Sequence, residues 1–232
     1  MDGVRRIIVF VKYPEENTVK TRLARDIGAR RAAGISRLMA MDAVDAAAKA
    51  GREVVVAFSP DDRADAFREW LGGELLYEPQ GDGDIGARMR RSFESAFAGG
   101  VANAVLVGSD IPDLSSGIID RAFALLGAHD AVLGPSTDGG YYLIGFTRGG
   151  FLSSVFEDIR WSTAMVAERT MERFRASGRK YATLPGLRDI DTADDLAAWM
   201  AGAASSGGPR GAVARPSRVR RYYEEELARE GP

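Results

Sequence analysis

Cysteine is absent from the 232 residues, and histidine occurs once, at His129. Without thiols the chain can hold no disulfide framework, no thiolate nucleophile and no thiolate zinc site, and a cytoplasmic setting is the expectation. A Ser-His-Asp triad or a histidine metal centre would have to rest on His129 beside Asp130, and a lone loop histidine is ordinarily just solvated. Long apolar runs are lacking too. Ile7 to Val11 is too short for a signal-peptide core or a membrane span, so neither is expected. No charge of one sign dominates: the formal net charge is −2. Residues 202–232 carry six Arg and four Glu, which leaves the rest of the chain near −4 and gives no reason to expect a nucleic-acid partner. The remainder, 45% hydrophobic and 28% charged, is ordinary for one large α/β domain or two small ones.

The chain is organised around Ala104-Val105-Leu106-Val107, a short apolar run that stops at Gly108-Ser109-Asp110. Such a run reads as a strand covered on both faces, and in open α/β sheets ligands sit outside the carboxyl ends of such strands. Asp110 is then placed to hold a metal ion. Alternatively, Asp110 and Asp113 shape the turn and start the helix through Ile118, Ile119 and Phe123.

Upstream, Ile7 to Val11 reads as a first strand, and Lys12 to Leu23 as a loop carrying Lys20 and Arg22. A lysine point charge and an arginine fork suit nucleotide phosphates, although for this stretch taken alone a solvated loop with ordinary surface charges is the favoured reading. Ala29 to Ala50 has the period of a long helix, Glu53 to Phe58 and Leu75 to Tyr77 read as strands, and Arg63 to Leu71 as a short helix between them. Gln80 to Met89 then spells G-x-G-x-x-G ahead of a helix from Met89 to Ala98. In a dinucleotide fold that unit comes first in the domain, whereas here it follows a third strand and its Asp82 and Asp84 would repel a pyrophosphate, so NAD or NADP binding is not expected.

Ala131 to Leu133 and Tyr141 to Phe146 read as two further strands flanking Asp138-Gly139-Gly140, either a β-turn or a place where backbone approaches a ligand. Ser162 or Thr163 is expected to cap a helix from Ala164 to Ala176, and Tyr181 to Leu184 to form a late strand. In Asp189-Ile190-Asp191 an extended backbone would turn both carboxylates one way and Ile190 into the core, which suits a cation. Thr192 can cap the next helix, ending near Met200, with Asp194 and Asp195 in its first turn. Gly202 to Pro216 reads as a linker, and Arg218 to Arg229 as a short helix with Tyr222, Tyr223 and Leu227 on its apolar side. Strands alternating with helices make a three-layer α/β/α, Rossmann-like arrangement with a mostly parallel sheet the economical architecture.

Taken in order, Phe10-Val11-Lys12 with Val19 to Leu23, Gln80 to Met89, Gly108 to Pro112, Gly134-Pro135 with Asp138 to Leu143, Trp161-Ser162-Thr163, and Asp189 to Thr192 with Asp195-Leu196 resemble the nucleotide-diphospho-sugar transferase superfamily, the GT-A fold. Within it the chain is similar to bacterial glycosyltransferase-like, selenodomain-associated transferases, which are related to 2-phospholactate guanylyltransferases. One departure is Glu16-Asn17, where the family usually has Pro-Gly; Asn tolerates the left-handed backbone better than most residues.

The resemblance implies a transferase domain over residues 1–201, a nucleotide or nucleotide-sugar donor, and a small-molecule acceptor; residues 202–232, the linker and helical tail, lie outside it. It also implies a Mg²⁺ or Mn²⁺ ion held by Asp110 and Asp191, and Asp189 belongs to the same expected metal set. The residues expected to work on the nucleotide are Lys12, Lys20, Thr21, Arg22, Gly81, Arg88, Ser109 and Asp110. Asp138, Gly139, Gly140, Tyr141 and Trp161 are expected in the acceptor or donor pocket, and Lys20, Arg22 and Asp138 in catalysis. Two reactions share this machinery, glycosyl transfer and nucleotidyl transfer with release of pyrophosphate. The family label favours the first. The cationic first loop, and Asp110-Ile111-Pro112-Asp113 in place of an Asp-x-Asp pair, favour the second, and a non-catalytic nucleotide-binding protein is the third reading. An empty carboxylate pair also predicts that Asp→Asn at 110 or 191 leaves the ligand-free melting temperature unchanged or slightly raised.

Overall fold

Along the central strands successive side chains alternate between two apolar clusters, and this period of two builds three layers. A computed structural model describes residues 3–205 and 217–230. Strands β1 (Arg5–Lys12), β2 (Glu53–Ser59), β3 (Leu76–Pro79), β4 (Asn103–Gly108), β5 (Ala131–Pro135), β6 (Tyr141–Thr147) and β7 (Tyr181–Thr183) form one seven-stranded sheet in the order β3-β2-β1-β4-β6-β5-β7. Ile7, Val9, Val54, Val56, Val105 and Val107 face one side, against α2 (Ala29–Lys49), α3 (Ala64–Leu71) and α5 (Ser116–Leu125). Ile8, Ala57, Leu106, Ile144 and Phe146 face the other, against α4 (Ile85–Ala98) and α6 (Val166–Ala176). All strand pairings are parallel except those of β6, which runs antiparallel to both β4 and β5. The three-layer, mostly parallel α/β architecture is the one the alternating pattern implies.

A third cluster lies to one side of these layers. Leu23 of α1 (Thr21–Ile27), Ile35 and Met39 of α2, Ile190 in the segment before α7 (Ala193–Ser205), Leu196 and Trp199 within α7, and Val219 of α8 (Arg218–Glu230) are buried together. Arg218 fixes α8 to α2 through Asp42 and Asp45, at 2.6 Å each. Tyr222 and Tyr223 lean on the same cluster; the Leu227 side chain lies outside the described residues.

Several boundaries differ from expectation. Lys12 to Leu23 is not loop throughout, because α1 opens at Thr21. Its seven residues are too few to show a helical period, and its N-cap residue, Lys20, makes no side-chain capping hydrogen bond. Helix α4 starts at Ile85 instead of Met89, because Asp84 accepts a hydrogen bond from the Ala87 N–H at 2.8 Å and so caps it inside the glycine motif. Ser115, not Asp110 or Asp113, caps α5. Neither Ser162 nor Thr163 side chain caps α6: the Thr163 hydroxyl donates to the Arg160 carbonyl at 2.8 Å. Helix α7 continues through Ser205, so the expected linker does not begin at Gly202; its remainder, residues 206–216, lies outside the described residues.

Candidate functional site

Sheet order reverses between β1 and β4, and the crevice outside the carboxyl ends of those strands is where an open α/β sheet takes a ligand. Two adjoining cavities lie there, of about 560 Å³ and about 370 Å³. The register explains what lines them. Phe10 pairs with Gly108, and Lys12 with Ser59, so the ends of β1, β2 and β4 come level. Because β6 is antiparallel, its first residue, Tyr141, arrives at the same edge as the last residues of β5.

The larger cavity collects cations. Lys12, Lys20 and Arg88 line it with Gln80, Ser109, Asp110 and Asp191. Lys12 Nζ donates to the Thr18 carbonyl at 2.7 Å and closes the first loop. Asn17 takes the left-handed conformation there, at φ 62°. Arg88 Nε donates to the Gly83 carbonyl at 2.9 Å. The buried Gln80 amide donates to the Ala57 carbonyl at 2.8 Å.

The smaller cavity is mainly apolar, with Met89, Tyr141, Tyr142 and Trp161 in its wall, and it also holds Asp138, Asp189 and Asp191. Burial pushes the Tyr141 phenol far above its ordinary value and the Tyr142 phenol up to about 12, so both stay protonated. The Trp161 indole N–H is buried and meets no acceptor among the described residues. Asp138 accepts hydrogen bonds from the Ser136 hydroxyl and, at 2.8 Å, from the Gly140 N–H. That β-turn, the first of the two readings of this stretch, fixes the carboxylate at the cavity wall.

Where the cavities meet, Asp110 and Asp191, far apart in sequence, converge. Lys20 Nζ stands 3.0 Å from Asp110 Oδ2 and 2.8 Å from Asp191 Oδ1. The Ile190 N–H donates to the Asp110 carbonyl at 3.2 Å, locking the two segments together. Thr192 and Asp195 cap each other ahead of α7: Asp195 Oδ2 accepts from the Thr192 N–H at 2.9 Å, and Thr192 Oγ1 from the Asp195 N–H at 3.2 Å. Burial raises the Asp195 carboxyl, but these hydrogen bonds outweigh it and hold the group below its usual range. Burial likewise pulls the Lys20 ammonium down, whereas Asp110 and Asp191 together push it up and win, so Lys20 stays charged.

Of the expected nucleotide residues, Lys12, Lys20, Arg88, Ser109 and Asp110 line the larger cavity, whereas Thr21, Arg22 and Gly81 do not. Thr21 and Arg22 are exposed in the first turn of α1. Gly81, at φ 72°, makes a turn clamped by Arg91, whose side chain a Cβ would strike. Asp138, Gly140, Tyr141 and Trp161 line the smaller cavity, and Gly139, at φ 91°, packs on the backbone of Ala164. Gln80, Ser36, Ser59 and Met89 also line the cavities and were not anticipated. Gln80 had a usable signal, a polar residue directly after a strand; Ser36 projects from the middle of a helix and had none. Gly86 lies under the Trp161 ring, where a Cβ would collide, so this glycine of the G-x-G-x-x-G serves packing.

Among the described residues no three His, Cys, Asp or Glu side chains form a metal cage, so Asp110, Asp189 and Asp191 are not a ready-made three-ligand set. Asp110 and Asp191 do bring two hard oxygens onto one positive charge. That suits Mg²⁺, which commonly takes one or two carboxylates and completes its shell with phosphate and water.

A profile described as "Uncharacterized protein conserved in bacteria (DUF2064)" matches residues 41–163. The chain belongs to this family. The DUF2064 chain is also 31% identical over 206 residues to a phosphoenolpyruvate guanylyltransferase of Mycobacterium marinum, covering 85% of this chain and 89% of that one. A crystal structure from Desulfovibrio desulfuricans G20, described as a nucleotide-diphospho-sugar transferase, superposes with a TM-score of 0.88 at 34% identity, over 96% of this chain and 94% of the other. The 4-diphosphocytidyl-2C-methyl-D-erythritol synthase of Anaerococcus prevotii shares the fold, with a TM-score of 0.57 at 12% identity, over 88% and 100%. The chain is a transferase. Among the described residues no helix is long and apolar enough to cross a membrane.

Proposed function

We propose that this DUF2064 chain transfers a nucleotidyl group from a nucleoside triphosphate to a small-molecule acceptor and releases pyrophosphate. The observation that carries the reading is the placement of Lys20, Asp110 and Asp191 on the border between a cationic cavity and an apolar one. Lys12, Lys20 and Arg88 suit three phosphates, and the guanylyltransferase relative in M. marinum covers most of the chain. The acceptor would lie against Tyr141 and Trp161. Its oxygen would attack the α-phosphorus as the bond to the bridging oxygen breaks and pyrophosphate leaves, with Asp138 available to take the acceptor's proton. Lys20 and Arg88 would balance the charge growing on the leaving group. A Mg²⁺ or Mn²⁺ ion, held by Asp110 and Asp191, would supply further charge neutralisation at the phosphates.

The D. desulfuricans relative favours a second reading, glycosyl transfer from a nucleotide-sugar in the same two cavities. Thermal shift with triphosphates and nucleotide-sugars, each with and without Mg²⁺, followed by product analysis, separates the two. Pyrophosphate release from a triphosphate is expected, with a guanine nucleotide the first candidate given the M. marinum relative. A nucleoside diphosphate released from a nucleotide-sugar would replace this reading with the second. Binding without either product would leave a nucleotide-binding protein.

A further inference from the structure

Lys20 stands where the proposed divalent cation belongs. Its side chain is 4% exposed, whereas those of Asp110 and Asp191 are 51% and 43% exposed, so the buried partner is the ammonium. The backbone of Lys20 is left-handed, at φ 47° and ψ 43°, a conformation that costs a non-glycine residue energy and that surrounding contacts must hold. Both carboxylates line both cavities, but Lys20 lines only the larger, beside Lys12 and Arg88. An ammonium that close to both oxygens repels a divalent ion seeking the same two donors.

We propose that Lys20 is a built-in plug of the cation position, drawn off by the donor's phosphates, so that nucleotide binding itself opens Asp110 and Asp191 to the divalent ion. The inference rests on the nucleotide and cation reading above. A lysine has the reach and rotational freedom to exchange one anion for another a few ångströms away in the same cavity. Once it moves to a phosphate, the carboxylates regain two negative charges that the metal can neutralise. Cation and donor then strengthen one another's binding, as linkage requires. The free chain is held in a state that takes up metal poorly, so the ion enters with the nucleotide or after it.

Mn²⁺ binding, followed by the paramagnetic resonance of the free ion, tests this without turnover. The parent chain is measured alone and with an α,β-methylene analogue of GTP, or of whichever triphosphate gives the largest thermal shift. The parent alone is expected to bind Mn²⁺ at least about tenfold more weakly than with the analogue. Lys20→Met, of similar length but uncharged, is expected to tighten nucleotide-free Mn²⁺ binding by about tenfold or more, and adding Asp191→Asn to it should abolish the gain. Lys20→Gln serves in the same way if Lys20→Met does not fold, and circular dichroism checks each variant. Nucleotide-free Mn²⁺ affinity unchanged from the parent in a folded Lys20 variant would overturn the plug, as would a gain that survives Asp191→Asn. If the parent binds no Mn²⁺ even with the analogue, the cation part of the proposed function fails as well, an outcome distinct from failure of the plug alone.

Discussion

At Asp189 burial raises the carboxyl above its usual value, and the neighbouring Asp138 and Asp191 raise it further, against the pull of its own backbone N–H and Lys20. A raised carboxyl binds its proton more readily in the native chain than in the unfolded one, so at neutral pH the charged form works against stability, and protonation removes that penalty as pH falls towards the unfolded value near 3.8. Asp189→Asn should therefore melt above the parent at pH 7, with the gap closing by about pH 4; melting curves across that range check it, and a variant melting below the parent at pH 7 would contradict it. The pair beside it behaves in the opposite way. Two crowded carboxylates with nothing between them predict a neutral or stabilising Asp→Asn, but Lys20 occupies that space at 2.8 and 3.0 Å. Asp110→Asn or Asp191→Asn leaves a buried ammonium with half its partners. Each is expected to cost about 1 kcal/mol, a modest figure because both carboxylates are half-exposed, or about 2–4 °C in melting temperature. Each should also abolish metal-dependent nucleotide binding, which calorimetry with and without Mg²⁺ would read.

Within elements, glycines decide what approaches what. In a helix an alanine outranks a glycine by about 1 kcal/mol, so propensity alone predicts that Gly86→Ala stabilises α4. The opposite is expected, because the new methyl would enter the Trp161 ring and the Phe156 carbonyl. Overpacking of this kind costs about 1–3 kcal/mol, and chemical denaturation should show the loss while Trp161 fluorescence reports the displaced ring. The strand-and-helix order was readable because strands that alternate faces and an Ala-rich helix of 21 residues carry strong periods. Helix α1 was not, since seven residues give less than two turns of pattern. Nor was the division of labour among acidic residues. Asp113 accepts from the Trp199 indole at 2.9 Å and ties α7 to the loop after β4, whereas Asp110, three residues earlier, faces both cavities. Short spacing cannot distinguish an anchor from a ligand when the partner lies 86 residues away.

On the scale of the whole molecule, the site rests on the third apolar cluster. Leu23 follows Lys20 by one helical turn, Ile190 lies between Asp189 and Asp191, and Val219 of α8 is fully buried beside them. Ending the chain after Ser205 removes Val219 and the Arg218 pairs with Asp42 and Asp45. Burying one such side chain is worth about 1.5–3 kcal/mol, so the truncated chain should melt several degrees lower. It should also bind nucleotide more weakly, because α1 and the 189–191 segment lose a shared support. Equal melting temperature and affinity in both chains would show that α8 only decorates the surface.

By itself the sequence determined the layers and the ends at which chemistry can occur. Alternating apolar residues dictate strands covered on two faces, and such strands leave their carboxyl ends open, which places Lys12, Asp110 and Asp138 at one edge before any contact is known. Tertiary structure decided which charges meet. Asp110 and Asp191 come together because β1 and β4 are neighbours and Ile190 is pinned to the Asp110 carbonyl, and Lys20 enters between them because α1 begins at Thr21. Periodicity records which face a residue takes within its own element. Charge pairing depends on distances between elements far apart in the chain, and those exist only once the sheet order and the connecting helices have closed around the core.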